Sequence, residues 1–459
     1  MTMKVDLPID DQVLEVAAAL QRAGGRAVMV GGIVRDHLLS RPSKDLDVEV
    51  YGLELERLEK ELSRFGEVIA IGRAFGVLRI KGIDVDFSIP RRDSKRGPGH
   101  RGFLVELDPN LDFAAAARRR DLTINSLGVD PLSQQLLDPF DGLSDLRQGI
   151  LRATDSQQFA EDPLRGLRVA QFRARLEMEP DAELVSLCAR LDLSELPGER
   201  LFEEFRKLLL KARRPSMGLE FLRETKLLRF FPELQAMVGV PQDPQWHPEG
   251  TVWEHTLLVV DEAARLRTGD EREDLVLLFG ALAHDIGKPA TTVEVEGRIR
   301  SPRHDEDGVA IAASFLARLS ASKQLVESVG ALVRHHLAPA LLPTQGAKPK
   351  AYRRLARKLA QASVTFDLLY RLASADHLGR TTADALARVF PAGDEYRRQI
   401  EGLQQGGDAT KDVVLGRHLI ARGMKPGPQF GGWLAACRDV QDETGWSDPE
   451  RILDRVLSG

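Results

Sequence analysis

Two carboxylates one residue apart, Asp45 and Asp47, stand in the run KDLDVEV, shortly after the Gly31-Gly32 pair of VMVGGIVRDHLLS. On an extended chain residues i and i+2 point the same way, so this spacing presents both carboxylates together. Such a pair suits Mg²⁺, a hard cation that binds through one or two carboxylates plus substrate phosphates. Arg26 to Val30 has strand character and Ile33 to Ser40 has helical periodicity, and the two glycines between them let backbone N–H groups approach an anion. A phosphate would sit at that helix's N-terminus, cradled by Gly31, Gly32 and Arg35. Singly these pieces are ordinary turns and strand edges; joined in this order they describe a nucleoside-triphosphate site. Further on, GVLRIKGIDVDFSIP predicts two short strands around Lys81-Gly82, the second carrying Asp84 and Asp86 on one face. A third carboxylate would hold the metal that activates an attacking hydroxyl. Asp86 is the choice for it and Asp84 the reserve.

A second set of ligating residues lies far downstream. Seven of the ten histidines fall between His247 and His377, mostly on apolar helical stretches. A lone imidazole on an apolar face is usually a satisfied core residue. An adjacent His284-Asp285 at a helix end, with His255 upstream and Asp376 downstream, is more specific and predicts divalent-metal binding, with His304, His335 and His336 as ligands of a second metal. Ni²⁺, Mn²⁺ and Mg²⁺ all remain open for such a ligand set.

Between the two sets, EDPLRGLRVAQFRARL predicts a helix over 161–176, which puts Asp162 and Arg165 on one face. As a bare pattern this is a surface ion pair. It also has a chemical meaning, because cytosine and adenine both offer an amino donor beside a ring-nitrogen acceptor, and an Asp acceptor beside an Arg donor fits that edge.

The elements that must position these residues follow from local pattern. Helices are expected over 10–23 and 54–65, and a loop over the basic stretch 91–102. From about residue 156 the chain reads as helices joined by short breaks, so the fold class is α+β, a small mixed-sheet head followed by all-α regions. With 459 residues several domains are expected. The net charge of −5 gives no global basic footprint, so nucleic-acid contact is left to local patches: Arg91, Arg92, Lys95 and Arg96; Arg118 to Arg120; and KPKAYRRLARK, 348–358. Only Cys188 and Cys437 occur, which argues against a disulfide framework. No 18-residue apolar run and no signal-like start is present, so a cytoplasmic, membrane-free protein is expected.

Residues 28–50 resemble motif A of the polymerase-beta-like nucleotidyltransferases, in the branch of bacterial CCA-adding enzymes and poly(A) polymerases. ARRRDLTINSLGVD, 117–130, resembles motif B; DPFDGLSDLRQGILR, 138–152, motif C; and ERLFEEFRKLLL, 199–210, motif E. The resemblance implies that Asp45 and Asp47 bind catalytic Mg²⁺ and that Arg119, Arg120, Asp121 and Asn125 contact triphosphate and ribose. It further implies that Asp162 and Arg165 select the incoming base as an amino-acid template, and that Arg168, one turn on, also binds the nucleotide. The order and types of the downstream ligands are similar to an HD-domain phosphohydrolase, and 415–443 resembles the carboxyl-terminal segment of HD-containing CCA-adding enzymes. The implied organisation is a head over 1–155, a neck over 156–240, an HD domain over 241–380 and a tRNA-binding tail over 381–459. The implied partners are tRNA, CTP and ATP, with no obligatory protein partner. Poly(A) polymerase, CC-only and A-only enzymes share these motifs. A phosphohydrolase with an inactive head and a non-catalytic RNA-binding module are the alternatives from other classes.

Overall fold

Seven strands form the sheet on which Asp47 and Asp86 lie. They are β1 (Arg26–Val30), β2 (Leu46–Tyr51), β3 (Val68–Gly72), β4 (Val77–Ile80), β5 (Val85–Ser88) and, after the hairpin β6 (Arg91–Lys95) with β7 (Phe103–Leu107), β8 (Gly128–Val129) and β9 (Leu136–Leu137). Their order is β3-β4-β5-β2-β1-β8-β9, and only β2 and β5 run parallel. The structure is a computed structural model and describes residues 3–42, 46–72, 76–95, 103–404 and 412–458. Among these it contains two compact units. The first comprises 1–197 with 221–230, the second 198–220 with 231–459.

In the first unit, the helix Asp11–Arg22 begins at Asp10, whose carboxylate accepts from the Gln12 N–H, and packs on β1 and on the helix Leu55–Leu62. These elements match the expected helices and strands within a few residues. The basic stretch differs from expectation, because residues 91–95 are a strand paired with β7. Local pattern missed it because a strand's partner here lies outside the polar run. Residues 96–102, including Arg96, lie outside the described residues.

The expected helix over 161–176 also differs. It runs only from Arg165 to Leu176, and Asp162 is extended at φ −112° and ψ 100°. Pro163 is the physical reason, since a proline's ring disfavours the helical region for the residue before it. Asp162 instead closes a turn, its carboxylate accepting from the Leu164 N–H at 3.1 Å and its carbonyl from the Arg165 N–H at 3.0 Å.

The DPFDGLSDL stretch ties this unit together. Asp138 accepts from the N–H groups of Gly142 and Leu143, and Asp145 accepts from the Thr123 hydroxyl at 2.7 Å. A Cβ on Gly142 would lie 2.3 Å from the Thr123 carbonyl oxygen. That is backbone against backbone, so no rotamer change relieves it.

The second unit is built around the helix Glu271–Ala283, buried on every side from Val276 onward, as a central core helix must be. The helices Val252–Arg265, Lys323–His335 and Phe366–Leu378 pack on it, and His304–Arg318 packs on Lys323–His335. One feature departs from the all-α expectation. Val293–Val295 pairs with Arg298–Arg300 across Glu296 and Gly297, both at positive φ, as a two-residue hairpin requires. A further two-residue ladder, Ile150–Leu151 with Glu179–Pro180, belongs to the first unit. The basic run 348–358 forms most of the helix Pro349–Gln361, and its arginines pair with residues of the tail. Arg353 donates to the Asp442 carbonyl at 2.7 Å, Arg354 pairs with Asp439 and Arg357 with Asp442. No helix among the described residues is long and apolar enough to cross a membrane.

Replacing Gly142 by Ala is expected to cost about 1–3 kcal/mol, the usual range for overpacking. Gly402, inside the helix Pro391–Gln404, has nothing within 4 Å of its ideal Cβ. Gly402→Ala should gain roughly 0.5–1 kcal/mol. Urea unfolding of both variants checks the contrast, and similar shifts for the two would refute the packing argument.

Candidate functional site

Asp47 is exposed at the start of β2, opposite Val30, where β1 ends and the glycine pair begins. Gly31 adopts φ +74°, and its ideal Cβ would stand 3.7 Å from Asp47 Oδ2, so the turn passes directly over this carboxylate. On the other side, the parallel register of β2 and β5 sets Asp47 beside Asp86. Asp86 accepts from Arg79 Nε at 2.7 Å across the β4–β5 pair, while Asp84 precedes β5 and is largely exposed. Asp45 lies outside the described residues.

Three buried carboxylates stand behind this surface, each matched by arginine. Asp36 meets Arg35 at 2.7 Å and Arg175 at 3.2 Å. Arg35 also donates to the Asn125 side-chain oxygen and lies 5.0 Å over the Phe172 ring, and its burial lowers its pKa. It is therefore an internal strut beneath Gly32 in this structure. Glu49 accepts from Tyr51 Oη at 2.9 Å, Arg119 Nη2 at 2.9 Å and Arg120 Nη2 at 3.0 Å. Burial raises the Glu49 pKa, but Arg120 and Arg119 outweigh it and the net shift is downward. Asp121 accepts from the Leu122 N–H, Asn125 Nδ2 and Arg168 Nε, the last at 2.7 Å. Against the upward effect of burial, Arg168 and Asn125 bring its pKa down to about 2. Arg165 donates to the backbone carbonyls of Gln158 and Arg119. The expected nucleotide residues are thus gathered into one network around β2 and the Thr123–Asn125 turn.

In the second unit five helix ends converge. His255 lies in the first turn of Val252–Arg265, His284 and Asp285 follow Glu271–Ala283, His304 opens its helix, His336 ends Lys323–His335, and Asp376 sits in the last turn of Phe366–Leu378. Each imidazole is oriented through Nδ1. His284, His304 and His336 direct it at the carbonyls of Ala281, Ser301 and Val333 at 2.7–2.8 Å, and His255 directs it at Glu249 Oε1 at 2.8 Å. A carbonyl can only accept, so Nδ1 carries a proton, and in the neutral imidazole Nε2 offers its lone pair to the site. Asp285 then serves two groups of convergent donors, His255 and His284 on one side and His304 and His336 on the other. His284 Nε2 is buried with no hydrogen-bond partner, 3.2 Å from Asp285 Oδ2. Asp376 Oδ1 lies 3.1 Å from His255 Nε2. This chemistry fits one or two divalent metals. Burial would raise the Asp285 carboxyl, but Lys288 at 2.6 Å and His284 hold it well below the ordinary carboxylate range.

His335 does not join these groups. It points elsewhere, near Lys358 and Arg334, and burial followed by those cations lowers its pKa to about 4. Adjacent helix residues are 100° apart, so one of two consecutive histidines must leave the site. Sequence reasoning also missed residues. His247 and Glu249 form a donor group with His255, and Lys288 and Arg380 line a cleft of about 240 Å³ with Trp246, His247 and His304. The HPEG run ahead of His255 was the available signal. In the first unit the missed residue is Glu49, third in the alternating series Asp45, Asp47, Glu49.

Gly287 is required where the His284-Asp285 turn meets the His304 helix, because a Cβ there would lie 2.1 Å from the His304 carbonyl oxygen.

Comparison with known proteins bears on both units. Residues 27–152 match the family described as the poly A polymerase head domain, 182–237 the "probable RNA and SrmB- binding site of polymerase A", and 252–367 the HD domain. A multifunctional CCA protein of Xanthomonas campestris is 33% identical over 426 residues, covering 89% of this chain and 96% of that protein. One from Stenotrophomonas maltophilia is 35% identical over 317 residues, 67% of this chain and 75% of the relative. Among solved structures, a Bacillus stearothermophilus CCA-adding enzyme in complex with CTP shares the fold with a TM-score of 0.67 at 21% identity, over 98% of each chain. A Thermotoga maritima CCA-adding enzyme complexed with tRNA gives 0.60 at 18% identity, over 100% of this chain and 99% of that one. The chain therefore belongs to the multifunctional CCA proteins, with a head domain of the poly A polymerase type and an HD domain.

Proposed function

We propose that this chain adds CCA to the 3′ end of tRNA, drawing on CTP and ATP without a nucleic-acid template and releasing pyrophosphate. The observation that carries the reading is the register placing Asp47 beside Asp86 under the Gly31 turn. In the reaction the terminal 3′-hydroxyl attacks the α-phosphorus. A new P–O bond forms as the bond to the leaving pyrophosphate breaks, and the hydroxyl proton passes to solvent water. Divalent metals, Mg²⁺ in this reading, supply charge neutralisation and activation of the hydroxyl when held by Asp45, Asp47 and Asp86. Arg79 steadies Asp86, and Arg119 and Arg120 bring positive charge to the triphosphate. The division into head, neck, HD domain and tail follows the same reading, with the tail and the lysines left on the basic helix contacting the RNA backbone. Two buried free thiols agree with a reducing cytoplasm.

Base choice falls to Asp162 and Arg165. Arg165 donates to two backbone carbonyls, which fixes its guanidinium and uses two of its five N–H donors, leaving others to face a cytosine or adenine edge. The HD site supports a second activity, metal-dependent phosphoester hydrolysis, with Lys288 and Arg380 facing the same cleft as His304.

Asp47→Ala and Asp86→Ala are each expected to lower nucleotide addition at least about a hundredfold, because several kcal/mol of charge stabilisation depend on the metal ligands. tRNA affinity should stay near wild type; normal extension by either variant in Mg²⁺ would overturn the site.

Asp162→Ala and Arg165→Ala should reduce the CTP-to-UTP incorporation ratio about tenfold, as loss of a charged hydrogen bond implies. An unchanged ratio in single-nucleotide extension assays would show that the base is read elsewhere.

His284→Ala should lose hydrolysis of 2′,3′-cyclic nucleotides and small phosphoesters with Mn²⁺, Ni²⁺ or Mg²⁺, while CCA addition persists. Elemental analysis should find divalent metal in the wild-type protein and less in the variant. Absence of metal and of hydrolysis in the wild type would reduce the cluster to a polar core.

A further inference from the structure

Asp47, Glu49 and Tyr51 occupy alternate positions of β2 and so lie on one face of a single strand. Asp47 is exposed, whereas Glu49 is 2% exposed. Burying a carboxylate and two guanidinium groups is a poor route to stability, since an apolar cluster of the same volume is often as stable or more so. What such a cluster does provide is fixed geometry. Both oxygens of Glu49 are used, Oε1 by Arg119 Nη2 and Oε2 by Arg120 Nη2 together with the Tyr51 hydroxyl. The two arginines are not equivalent. Arg120, 11% exposed, also donates to the Asn125 carbonyl at 3.0 Å and acts as a strut, while Arg119, 22% exposed, is the arm nearer the surface.

We infer that Glu49 is a positioning residue for nucleotide binding, which holds the Arg119 guanidinium at a fixed offset from Asp47 along the same strand. Two residues of extended chain set that offset at about 7 Å. A rigid offset matters because a triphosphate must engage the metal carboxylates and the cation at once, and a loosely held arginine would lose that simultaneity. The inference rests on the reading that Arg119 and Arg120 face the triphosphate.

The test uses the full-length protein with tRNA ending before CCA, measuring KM and kcat for CTP and ATP, CTP affinity by calorimetry, and melting temperature. Arg119→Ala is expected to raise KM for CTP about tenfold, as one lost charge-assisted hydrogen bond implies. Glu49→Gln should raise it by a similar factor with kcat and tRNA affinity within about twofold, and the double variant should be no worse than Arg119→Ala alone, because both remove one interaction. Glu49→Asp should recover part of the loss. Tyr51→Phe, which deletes only the hydroxyl against Glu49, should raise KM about threefold and remains informative if Glu49→Gln folds poorly. A fall in melting temperature with unchanged KM and CTP affinity, or effects that multiply in the double variant, would overturn the positioning role. If Arg119→Ala and Arg120→Ala both leave nucleotide KM unchanged, the triphosphate reading itself fails, whatever Glu49 does.

Discussion

A charge taken out of water must be met by another, and the first unit meets this constraint three times in one place. Asp36, Glu49 and Asp121 are all buried, and each is met by arginine from another segment: Asp36 by Arg175 besides its neighbour Arg35, Glu49 by Arg119 and Arg120, and Asp121 by Arg168. These pairs join the helix after the glycine turn, the strand carrying Asp47, the turn Thr123–Asn125 and the helix Arg165–Leu176. Breaking a buried pair from one side typically costs about 3–5 kcal/mol, so the four segments are held in a common register. Asn125 completes the link, accepting from Arg35 and donating to Asp121. Catalysis by positioning requires such a frame, since misplacement of a reacting group by an ångström costs orders of magnitude in rate.

The sequence was most legible where chemistry depends on close spacing. The strand, glycine turn and helix around residue 30, the strand pair around Lys81-Gly82, and the His284-Asp285 helix end all follow from local pattern and occur as expected. It was least legible where a residue's role depends on a distant partner. Nothing in the neighbourhood of Glu49 announces two arginines 70 residues away, and Arg35 reads as a phosphate ligand until its contacts with Asp36 and Asn125 are seen. The strand at 91–95 was hidden for the same reason. Asp162 is a different case, because Pro163 was present to signal the break and the helical periodicity of the following residues masked it.

The second unit solves the burial problem in another way, and the contrast bears on its chemistry. Asp285 and Asp376 are as buried as the carboxylates of the first unit, yet their neighbours are largely imidazoles whose protons are turned away toward carbonyls and Glu249. With a divalent metal held there the imidazoles would be neutral and surround it with lone pairs; without one, His284 helps to hold the Asp285 carboxyl low. Lys288 and Arg380 supply cations at one edge, and both also face the cleft. The arginine cluster is held by ion pairs already in place, each carboxylate met by a guanidinium. A cluster of lone pairs around a carboxylate is complete only when an exchangeable cation enters it, which is the physical difference between a frame and a metal site. The same carboxylate chemistry therefore yields rigidity around Asp47 in one unit and, in the other, a centre whose function depends on what it binds.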